Sequence, residues 1–447
     1  MDDAPISRFR SDITVGAEKV LSILADNILV DGFHLVVDLE KSHGSYMVDA
    51  LQGKEYLDCY SYFASLPIGH NHPKMRTDDF RATLIRAAGS NPTNSDVYTR
   101  EFGAFVQIFR EFAAPKEFPY LFFVAGGTLA VENALKVAFD WKRQKNRAAG
   151  IEGGGDKILH FCEAFHGRSG YAMSLTNTGP AKTADFPQFD WPRISNPKVH
   201  FPIDEEEMVV AEAASVAEIE QAFDADPMGI AAIIVEPIQG EGGDNHFRSE
   251  FLQQLRRIAD KREAMLIFDE VQTGIGLTGS MWAFQQLGVT PDIVAFGKKT
   301  QVCGIMSTDR VDDINTNVFH VSSRINSTWG GNLVDMVRAA RYLQIIEEEG
   351  LVENAALSGE LFLGELLAIQ ESFALVTNVR GRGLMLAFDL PDAVQRDQLR
   401  ELCWDAGLAT LACGERSVRF RPSLTFSPED ISKAVQFLRD ALVALRA

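Results

Sequence analysis

Two apolar runs separated by an amphipathic segment constrain the fold of this chain more than any other feature. The runs occupy residues 265–269 and 291–296, and residues 281–287 between them have the spacing of an amphipathic helix. Uninterrupted apolar runs of this length are typical of strands that are buried on both faces, as in parallel sheets. The pattern therefore predicts a strand–helix–strand crossover in a parallel α/β sheet.

Polar side chains follow both predicted strands. Asp269 and Gln272 come at the end of the first strand, and Lys298 and Lys299 come after the second. Because ligands of open α/β sheets bind beyond the carboxyl ends of the strands, these groups should converge on one pocket. A lysine that can form a Schiff base and a carboxylate that can keep a pyridine nitrogen protonated suit pyridoxal phosphate. A strand-terminal carboxylate serves a magnesium site or a helix cap equally well, so the rest of the chain must decide.

The size and charge of the chain exclude several classes of function. With 447 residues, the chain should form more than one domain, and none of its segments approaches the ~18 uninterrupted apolar residues of a membrane span. The net charge of −19 disfavours nucleic acid and anionic membranes as partners. An anionic substrate must therefore be held by locally placed arginines.

The cysteines and the N-terminal residues predict a location in the reducing cytoplasm. The N-terminus is acidic and lacks the basic and apolar regions of a signal peptide. The five cysteines are scattered and lack the spacing of metal ligands, a pattern typical of buried thiols. We therefore expect a cytoplasmic protein without a bound metal.

A glycine turn between a strand and a helix predicts an anion site. Residues 120–124 have a buried strand pattern, Gly126, Gly127 and Thr128 follow, and residues 131–138 have helical spacing. Free backbone N–H groups and the helix dipole would both face a ligand at this turn, and Thr128 adds a hydroxyl group. A plain helix cap explains the turn equally well. The turn lacks the dinucleotide-binding glycine pattern and the P-loop lysine, which argues against those cofactors.

A further strand is followed by an aromatic and a basic side chain. The strand pattern at residues 157–162 leads to Phe165 and Arg168. An aromatic ring can stack on a flat cofactor and an arginine can bind a carboxylate, although ordinary core packing is an alternative for Phe165. Another buried strand pattern, at residues 229–235, ends in a glycine-rich segment that contains Glu241.

Together these motifs resemble those of the class III aminotransferases, the ornithine- and GABA-type enzymes of the fold type I pyridoxal-phosphate architecture. The motifs follow the family order over nearly the whole chain: Gly-His-Asn-His-Pro at 69–73, Phe-His-Gly-Arg at 165–168, Glu-Pro-Ile-Gln-Gly-Glu-Gly at 236–242, Phe-Asp-Glu-Val-Gln-Thr-Gly at 268–274, Gly-Lys at 297–298, Ser-Thr-Trp-Gly-Gly-Asn at 327–332 and Arg-Phe at 419–420. Within the family, residues 164–171, 269–279 and 298–304 are most similar to members that act on the 6-amino group of lysine.

The resemblance implies an architecture and an assembly. We expect an α/β protein with a mostly parallel seven-stranded sheet in a large domain at residues 61–330. A smaller α+β domain would be built from an N-terminal segment, residues 1–60, and a C-terminal part, residues 331–447. The resemblance also implies a homodimer whose active sites are shared between the subunits.

The resemblance further implies which residues bind the cofactor, pyridoxal 5′-phosphate. Lys298, which directly follows a glycine, would form the Schiff base, whereas Lys299 would be a neighbour. Asp269 would pair with the pyridine nitrogen, and Gln272 would contact the 3-hydroxyl group. The other implied contacts are phosphate contacts from Gly127 and Thr128, stacking by Phe165, and a phosphate contact from Thr328 of the partner subunit.

The phosphate turn departs from the family pattern. Members commonly carry Ser-Gly-Thr-Glu-Ala there, whereas residues 126–130 are Gly-Gly-Thr-Leu-Ala. A side-chain contact from position 126 is lost. Backbone N–H groups still form an anion site, so we expect phosphate binding to persist.

For the substrates, the resemblance implies that Arg168 and Arg419 bind carboxylates and that Glu241 lies beside Arg419. Glu241 would take part in catalysis with Lys298 and Asp269. It would neutralise Arg419 while lysine reacts and would swing aside for the second carboxylate of 2-oxoglutarate. A static Glu–Arg ion pair is the alternative interpretation.

The implied reaction is the transfer of the 6-amino group of L-lysine to 2-oxoglutarate by a ping-pong mechanism, giving 2-aminoadipate 6-semialdehyde and L-glutamate. The alternatives are another ω-aminotransferase that acts on ornithine or 4-aminobutyrate, an aminomutase, and a non-catalytic regulator that binds pyridoxal phosphate. A requirement for 2-oxoglutarate would exclude the mutase. The joint presence of Lys298, Arg168, Arg419 and Glu241 argues against the regulator.

Overall fold

A computed structural model of the chain describes residues 15–446. The acidic N-terminus, and with it the start of the predicted N-terminal segment 1–60, lies outside the described residues. Within the described range, no helix is both long and apolar enough to cross a membrane.

Strands and helices alternate over most of the described chain. The strands are β1 Tyr46–Val48, β2 Glu55–Asp58, β3 Tyr120–Val124, β4 Lys157–Phe161, β5 Arg193–Ile194, β6 Ile230–Val235, β7 Ile238–Gln239, β8 Asn245–His246, β9 Met265–Asp269, β10 Ile293–Phe296, β11 Cys303–Ser307, β12 Thr377–Arg382, β13 Met385–Asp389, β14 Leu408–Ala409, β15 Leu411–Cys413 and β16 Ser417–Phe420. The helices are α1 Ala17–Ala25, α2 Ser61–Ala64 (a left-handed turn), α3 Asp78–Ala88, α4 Arg100–Phe112, α5 Gly127–Ala148, α6 Gly170–Leu175, α7 Pro180–Thr183, α8 Glu205–Ala225, α9 Ser249–Lys261, α10 Phe284–Leu287, α11 Leu333–Glu348, α12 Leu351–Ser372, α13 Ala393–Ala406 and α14 Pro428–Leu445.

The largest sheet has seven strands in the order β3-β11-β10-β9-β6-β4-β5. Neighbouring strands from β10 to β5 run parallel, whereas β11 is antiparallel to both β10 and β3. This arrangement confirms the predicted mostly parallel seven-stranded sheet. It includes the predicted crossover between β9 and β10, whose helix is the short α10.

Helices cover both faces of this sheet, which explains the apolar runs in the sequence. Along β9, Leu266 and Phe268 pack with residues of α9, whereas Met265 and Ile267 pack with residues of α5 in a second cluster. Successive side chains of a strand point to opposite faces of the sheet. A strand covered on both sides therefore needs an apolar residue at nearly every position.

Two smaller sheets lie outside the seven-stranded sheet, and one of them combines segments from both ends of the described chain. The first joins β1 and β2 as an antiparallel pair and adds β14 parallel to β2, with Leu57 opposite Leu408. The second is antiparallel, in the order β12-β13-β16-β15. The pairing of β2 with β14 links residues near both ends of the chain, and the division into domains at residues 60 and 330 stays a prediction.

The carboxyl edge of the seven-stranded sheet brings distant parts of the chain together. Strand β9 ends at Asp269, and β10 is followed by Gly297 and Lys298; the parallel register places Ala295 opposite Asp269. Strand β3 is antiparallel to β11 and therefore runs in the same direction as β9 and β10. The N-terminus of α5, at Gly127, consequently lies at the same edge.

Candidate active site

Lys298 begins the turn that follows β10. Its backbone has a φ of 53°, and its side chain lines a cavity of about 390 Å³ at the carboxyl edge of the sheet. Burial, together with the nearby charge of Arg419, lowers the pKa of Lys298 to about 8. The amine is therefore neutral, and able to act as a nucleophile or base, in a much larger fraction of molecules than for an exposed lysine.

Lys299 points away from this cavity. Its Nζ donates hydrogen bonds to the carbonyl oxygens of Gln272 at 2.6 Å and Ala64 at 3.4 Å. Burial lowers the pKa of Lys299 well below its ordinary value, and the neighbouring charge of Lys298 acts in the same direction. The geometry therefore separates two lysines that the sequence leaves adjacent.

Asp269 is held by a buried histidine. Its Oδ2 lies 2.8 Å from Nδ1 of His166, and its Oδ1 accepts from the backbone N–H of Val271 at 3.1 Å. Burial by itself would lower the pKa of His166, but the hydrogen bond to Asp269 and the charges of Asp269 and Glu236 raise it overall. No role was predicted for His166, although its place in the Phe-His-Gly-Arg motif was a signal.

The predicted anion site lies at the start of α5. Gly126 precedes the helix with a φ of 104°, and the first helical N–H groups have no acceptor within the helix. Gly167 packs against this turn so closely that a Cβ atom there would lie 2.5 Å from Oγ1 of Thr128. The close approach keeps Gly127 and Thr128 at the wall of the cavity, where both line it.

Phe165 and Gln272 also line the cavity, and other polar groups fix their positions. The backbone N–H of Phe165 donates to Oε1 of Glu236 at 2.9 Å; burial raises the pKa of this glutamate to about 7. Oε1 of Gln272 accepts from Nε of Arg421 at 3.0 Å and more weakly from Arg419 at 3.5 Å. Glu236 and Arg421 were not predicted, because their roles are to orient a neighbour.

Arg419, on β16, is almost completely buried and forms an ion pair with Glu241. Its guanidinium donates to Oε2 of Glu241 at 2.9 Å, while Oε1 of the same carboxylate accepts from Nζ of Lys182 at 2.6 Å. Burial by itself would raise the pKa of Glu241, but the attraction of Arg419 and Lys182 lowers it overall. Lys182 was not predicted, because it lies outside the family motifs.

Two predicted residues lie at or beyond the cavity mouth. Arg168 lines the cavity but is exposed, and it forms no ion pair with the residues the structure describes. Thr328 is exposed and does not line the cavity; its carbonyl oxygen accepts from Oγ of Ser95 at 3.1 Å. The fold of one chain therefore brings together every predicted site residue except Thr328.

Phe63 is an unpredicted member of the cavity wall. Its ring centre lies 5.9 Å from Nζ of Lys298. It belongs to the left-handed turn α2, whose four residues all have positive φ values. The sequence does not predict such a turn, because positive φ values are expected at glycine and none of the four residues is a glycine.

The chemistry of the lining residues fits pyridoxal phosphate. The start of α5 offers N–H groups to a phosphate, and Phe165 offers a ring for stacking. Asp269, oriented by His166, suits a protonated ring nitrogen. Within the described residues, Nε2 of His166 is buried without a hydrogen-bond partner, so the imidazole lacks a polar partner on this side of the site.

Comparison with known proteins places these features in a family. The sequence matches the description "Aminotransferase class-III" over residues 30–442. It is 51% identical to an L-lysine-epsilon aminotransferase of Mycobacterium tuberculosis over 428 residues, which cover 95% of each chain. It is 48% identical to an L-lysine-epsilon aminotransferase of Streptomyces clavuligerus, over 96% of this chain and 95% of the relative.

A solved structure gives the same result for the fold. The lysine aminotransferase from M. tuberculosis, in its internal aldimine form, superposes with a TM-score of 0.95 at 50% sequence identity. The match covers 96% of this chain and 100% of that chain. Motif order, cavity chemistry, sequence match and fold all agree, and the chain belongs to the class III aminotransferases.

Proposed function

We propose that this chain transfers the 6-amino group of L-lysine to 2-oxoglutarate, with pyridoxal 5′-phosphate as cofactor, and releases 2-aminoadipate 6-semialdehyde and L-glutamate. The observation that carries the proposal is the buried Arg419, neutralised by Glu241 at 2.9 Å in the cavity of Lys298. A ping-pong enzyme for lysine and 2-oxoglutarate must accept a donor with one carboxylate and an acceptor with two at the same site. The relatives named L-lysine-epsilon aminotransferases support lysine as the donor.

The residues around the cavity divide the work of binding the cofactor. When bound, pyridoxal phosphate supplies an aldehyde that condenses with amines and a ring that withdraws electrons from the condensed substrate. The N–H groups at Gly127 and Thr128 would hold the phosphate, and Phe165 would stack on the ring. Asp269 would meet the ring nitrogen, with Gln272 at the 3-hydroxyl group.

Lys298 would carry the proton that the reaction moves. Its Nζ would accept the proton from C6 of the bound lysine, a step for which the amine must be neutral. The lowered pKa of Lys298, about 8, makes the neutral form accessible near neutral pH. Asp269 would keep the ring nitrogen protonated through a charge-assisted hydrogen bond, so that the ring could take up the electrons released from C6.

Arg168 and Arg419 would distinguish the two substrates by the number of carboxylates that each substrate carries. Lysine would place its single carboxylate on Arg168, leaving Arg419 paired with Glu241. 2-Oxoglutarate would bring a second carboxylate to Arg419, and Glu241 would swing aside. An unpaired buried charge costs several kcal/mol, so a movable partner for Arg419 is physically reasonable.

We also propose that the enzyme is a homodimer in which Thr328 of the partner subunit contacts the cofactor phosphate. In one chain Thr328 is exposed and lies outside the cavity. Large side chains nearby are exposed as well, including Trp329 at 50% and Tyr98 at 79%. Exposed aromatic side chains are typical of subunit interfaces. Their position near Thr328, whose proposed ligand is the phosphate in the partner subunit, supports an interface at this place.

The proposed reaction suits two metabolic settings, the catabolism of lysine and the supply of 2-aminoadipate. We propose a cytoplasmic location, supported by the five cysteines, all of which are free thiols.

An amino-donor screen with 2-oxoglutarate tests the proposed function. We expect kcat/KM for lysine to exceed that for ornithine, which is one methylene shorter, by about tenfold or more. Glutamate formation is measured for lysine, ornithine, 4-aminobutyrate and 2-aminoadipate. A preference for ornithine or 4-aminobutyrate would identify a different ω-aminotransferase, and turnover of lysine without 2-oxoglutarate would identify a mutase.

The second prediction separates the two adjacent lysines. Lys298→Ala should abolish turnover, the yellow absorbance and the borohydride-reducible attachment of the cofactor, because it removes the amine that lines the cavity. Lys299→Met is the matched control and should keep the absorbance. A reducible attachment that survives in Lys298→Ala would refute the assignment.

The third prediction concerns the subunit interface. Thr328→Ala should weaken cofactor binding by about 1.5–3 kcal/mol, the usual contribution of a hydrogen bond to a charged group. Cofactor release is followed by absorbance, and assembly by sedimentation. Ser327→Ala, next in the chain, is the control and should have no comparable effect. A fully active monomer would contradict the proposal.

The fourth prediction concerns Glu241. In Glu241→Ala, Arg419 has lost its ion-pair partner and can capture the α-carboxylate of lysine in a reversed orientation. We expect a large fall in the rate of the lysine half-reaction in single-turnover experiments, and little loss with glutamate. If Glu241 were only a static partner, both half-reactions would slow equally and the protein would lose ~3–5 kcal/mol of stability, seen as a lower Tm.

A further inference from the structure

The carboxylate of Glu241 bridges two cations. One oxygen accepts from the buried Arg419 and the other accepts from Lys182, at 2.9 and 2.6 Å. Lys182 lies on the short α7, in the connection between α6 and β5, and belongs to none of the motifs of the site. Its side chain is 19% exposed, so the ion pair is only partly screened by water.

The position of Lys182 is fixed by further contacts. Its Nζ donates to Oγ1 of Thr178 at 2.9 Å and lies 5.5 Å from the ring centre of Phe165. The backbone of Glu241 is also anchored, because its carbonyl oxygen accepts from the N–H of Gly414 at 2.9 Å. The carboxylate can therefore move by side-chain rotation between two cations that stay in place.

The charges explain why a second cation is useful. With lysine bound, Arg419 and Glu241 neutralise each other. When 2-oxoglutarate brings its second carboxylate to Arg419, two carboxylates share one arginine unless another cation is present. Lys182 supplies that cation, so Glu241 leaves Arg419 without losing its own partner.

We propose that Lys182 is a positioning residue that sets acceptor specificity, by holding the carboxylate of Glu241 whenever a dicarboxylate occupies Arg419. The proposal rests on the proposed function, in which Arg419 receives the second carboxylate. Lys182 touches Glu241 and acts through it.

The test is a comparison of half-reactions in the holoenzyme. We expect Lys182→Met to raise the 2-oxoglutarate concentration at half-maximal rate by about tenfold, equivalent to about 1.4 kcal/mol. The corresponding value for lysine should change much less, because Glu241 stays on Arg419 in that half-reaction. Lys182→Arg, which keeps the charge, should restore 2-oxoglutarate binding.

Two controls separate this role from a general structural one. Lys157 forms an ion pair with Asp226 at 2.8 Å at the amino end of β4, the edge of the sheet opposite the site, so Lys157→Met should leave the ratio of the two half-reactions unchanged. In a Glu241→Gln background, Lys182→Met should lose most of its effect on 2-oxoglutarate. Persistence of the full effect there would overturn the proposal, because Lys182 would then act independently of Glu241.

Failure of this inference can be distinguished from failure of the proposed function. If the wild-type enzyme prefers another donor with one carboxylate, the same variants are compared with that donor and 2-oxoglutarate. A selective loss for 2-oxoglutarate would still support the role of Lys182. Equal changes in both half-reactions, or no change, would refute it whichever donor is used.

Discussion

The site depends on the parallel pairing of β9 with β10 in the centre of the sheet. Because the two strands run in the same direction, Asp269 and Lys298 lie at the same edge of the sheet although they are 29 residues apart in the sequence. The hydrogen bonds of this pairing lie among fully buried strands, where water does not compete for them. The start of α5 meets the same edge because β3 has the same direction. Each binding element is thus fixed by the core, which gives a cofactor site its rigidity.

Charge is distributed unevenly in this protein. The chain as a whole carries −19, yet its site concentrates buried cations. Three buried basic side chains at the site have specific partners: Arg421 pairs with Asp244, Arg419 with Glu241, and Lys299 with backbone carbonyl groups. A lone buried charge would destabilise the fold by several kcal/mol. Buried arginines can therefore serve an anion-binding site only if carboxylates pair with them. Glu241 differs from Asp244 in being 32% exposed and shared with Lys182, which gives it room to move.

The left-handed turn α2 places strained backbone beside the amine of Lys298. Its four residues have φ values between 41° and 63°, a region that costs about 1–2 kcal/mol for each residue with a side chain. Hydrogen bonds hold the turn at both ends: Oδ1 of Asp58 accepts from the N–H of Ser61 at 2.7 Å, and Lys299 donates to Ala64. The result is a ring, Phe63, beside the amine of Lys298. Lys299 therefore links the strained turn to the loop that carries Gln272.

The amino-acid sequence by itself determined the parallel sheet and the elements at its edge, because apolar runs, glycine turns and strand-terminal polar residues are local patterns. The same local patterns placed Asp269, Thr128 and Phe165 at strand ends, and the resemblance to the family favoured Lys298 over Lys299. The tertiary structure supplies the physical reason for that preference, because the backbone at Lys298, with a φ of 53°, directs its side chain and not that of Lys299 into the cavity. It alone brought His166 to Asp269 and Lys182 to Glu241. Such partners come from unrelated segments, and side-chain contacts between distant segments leave no periodic pattern in a single sequence.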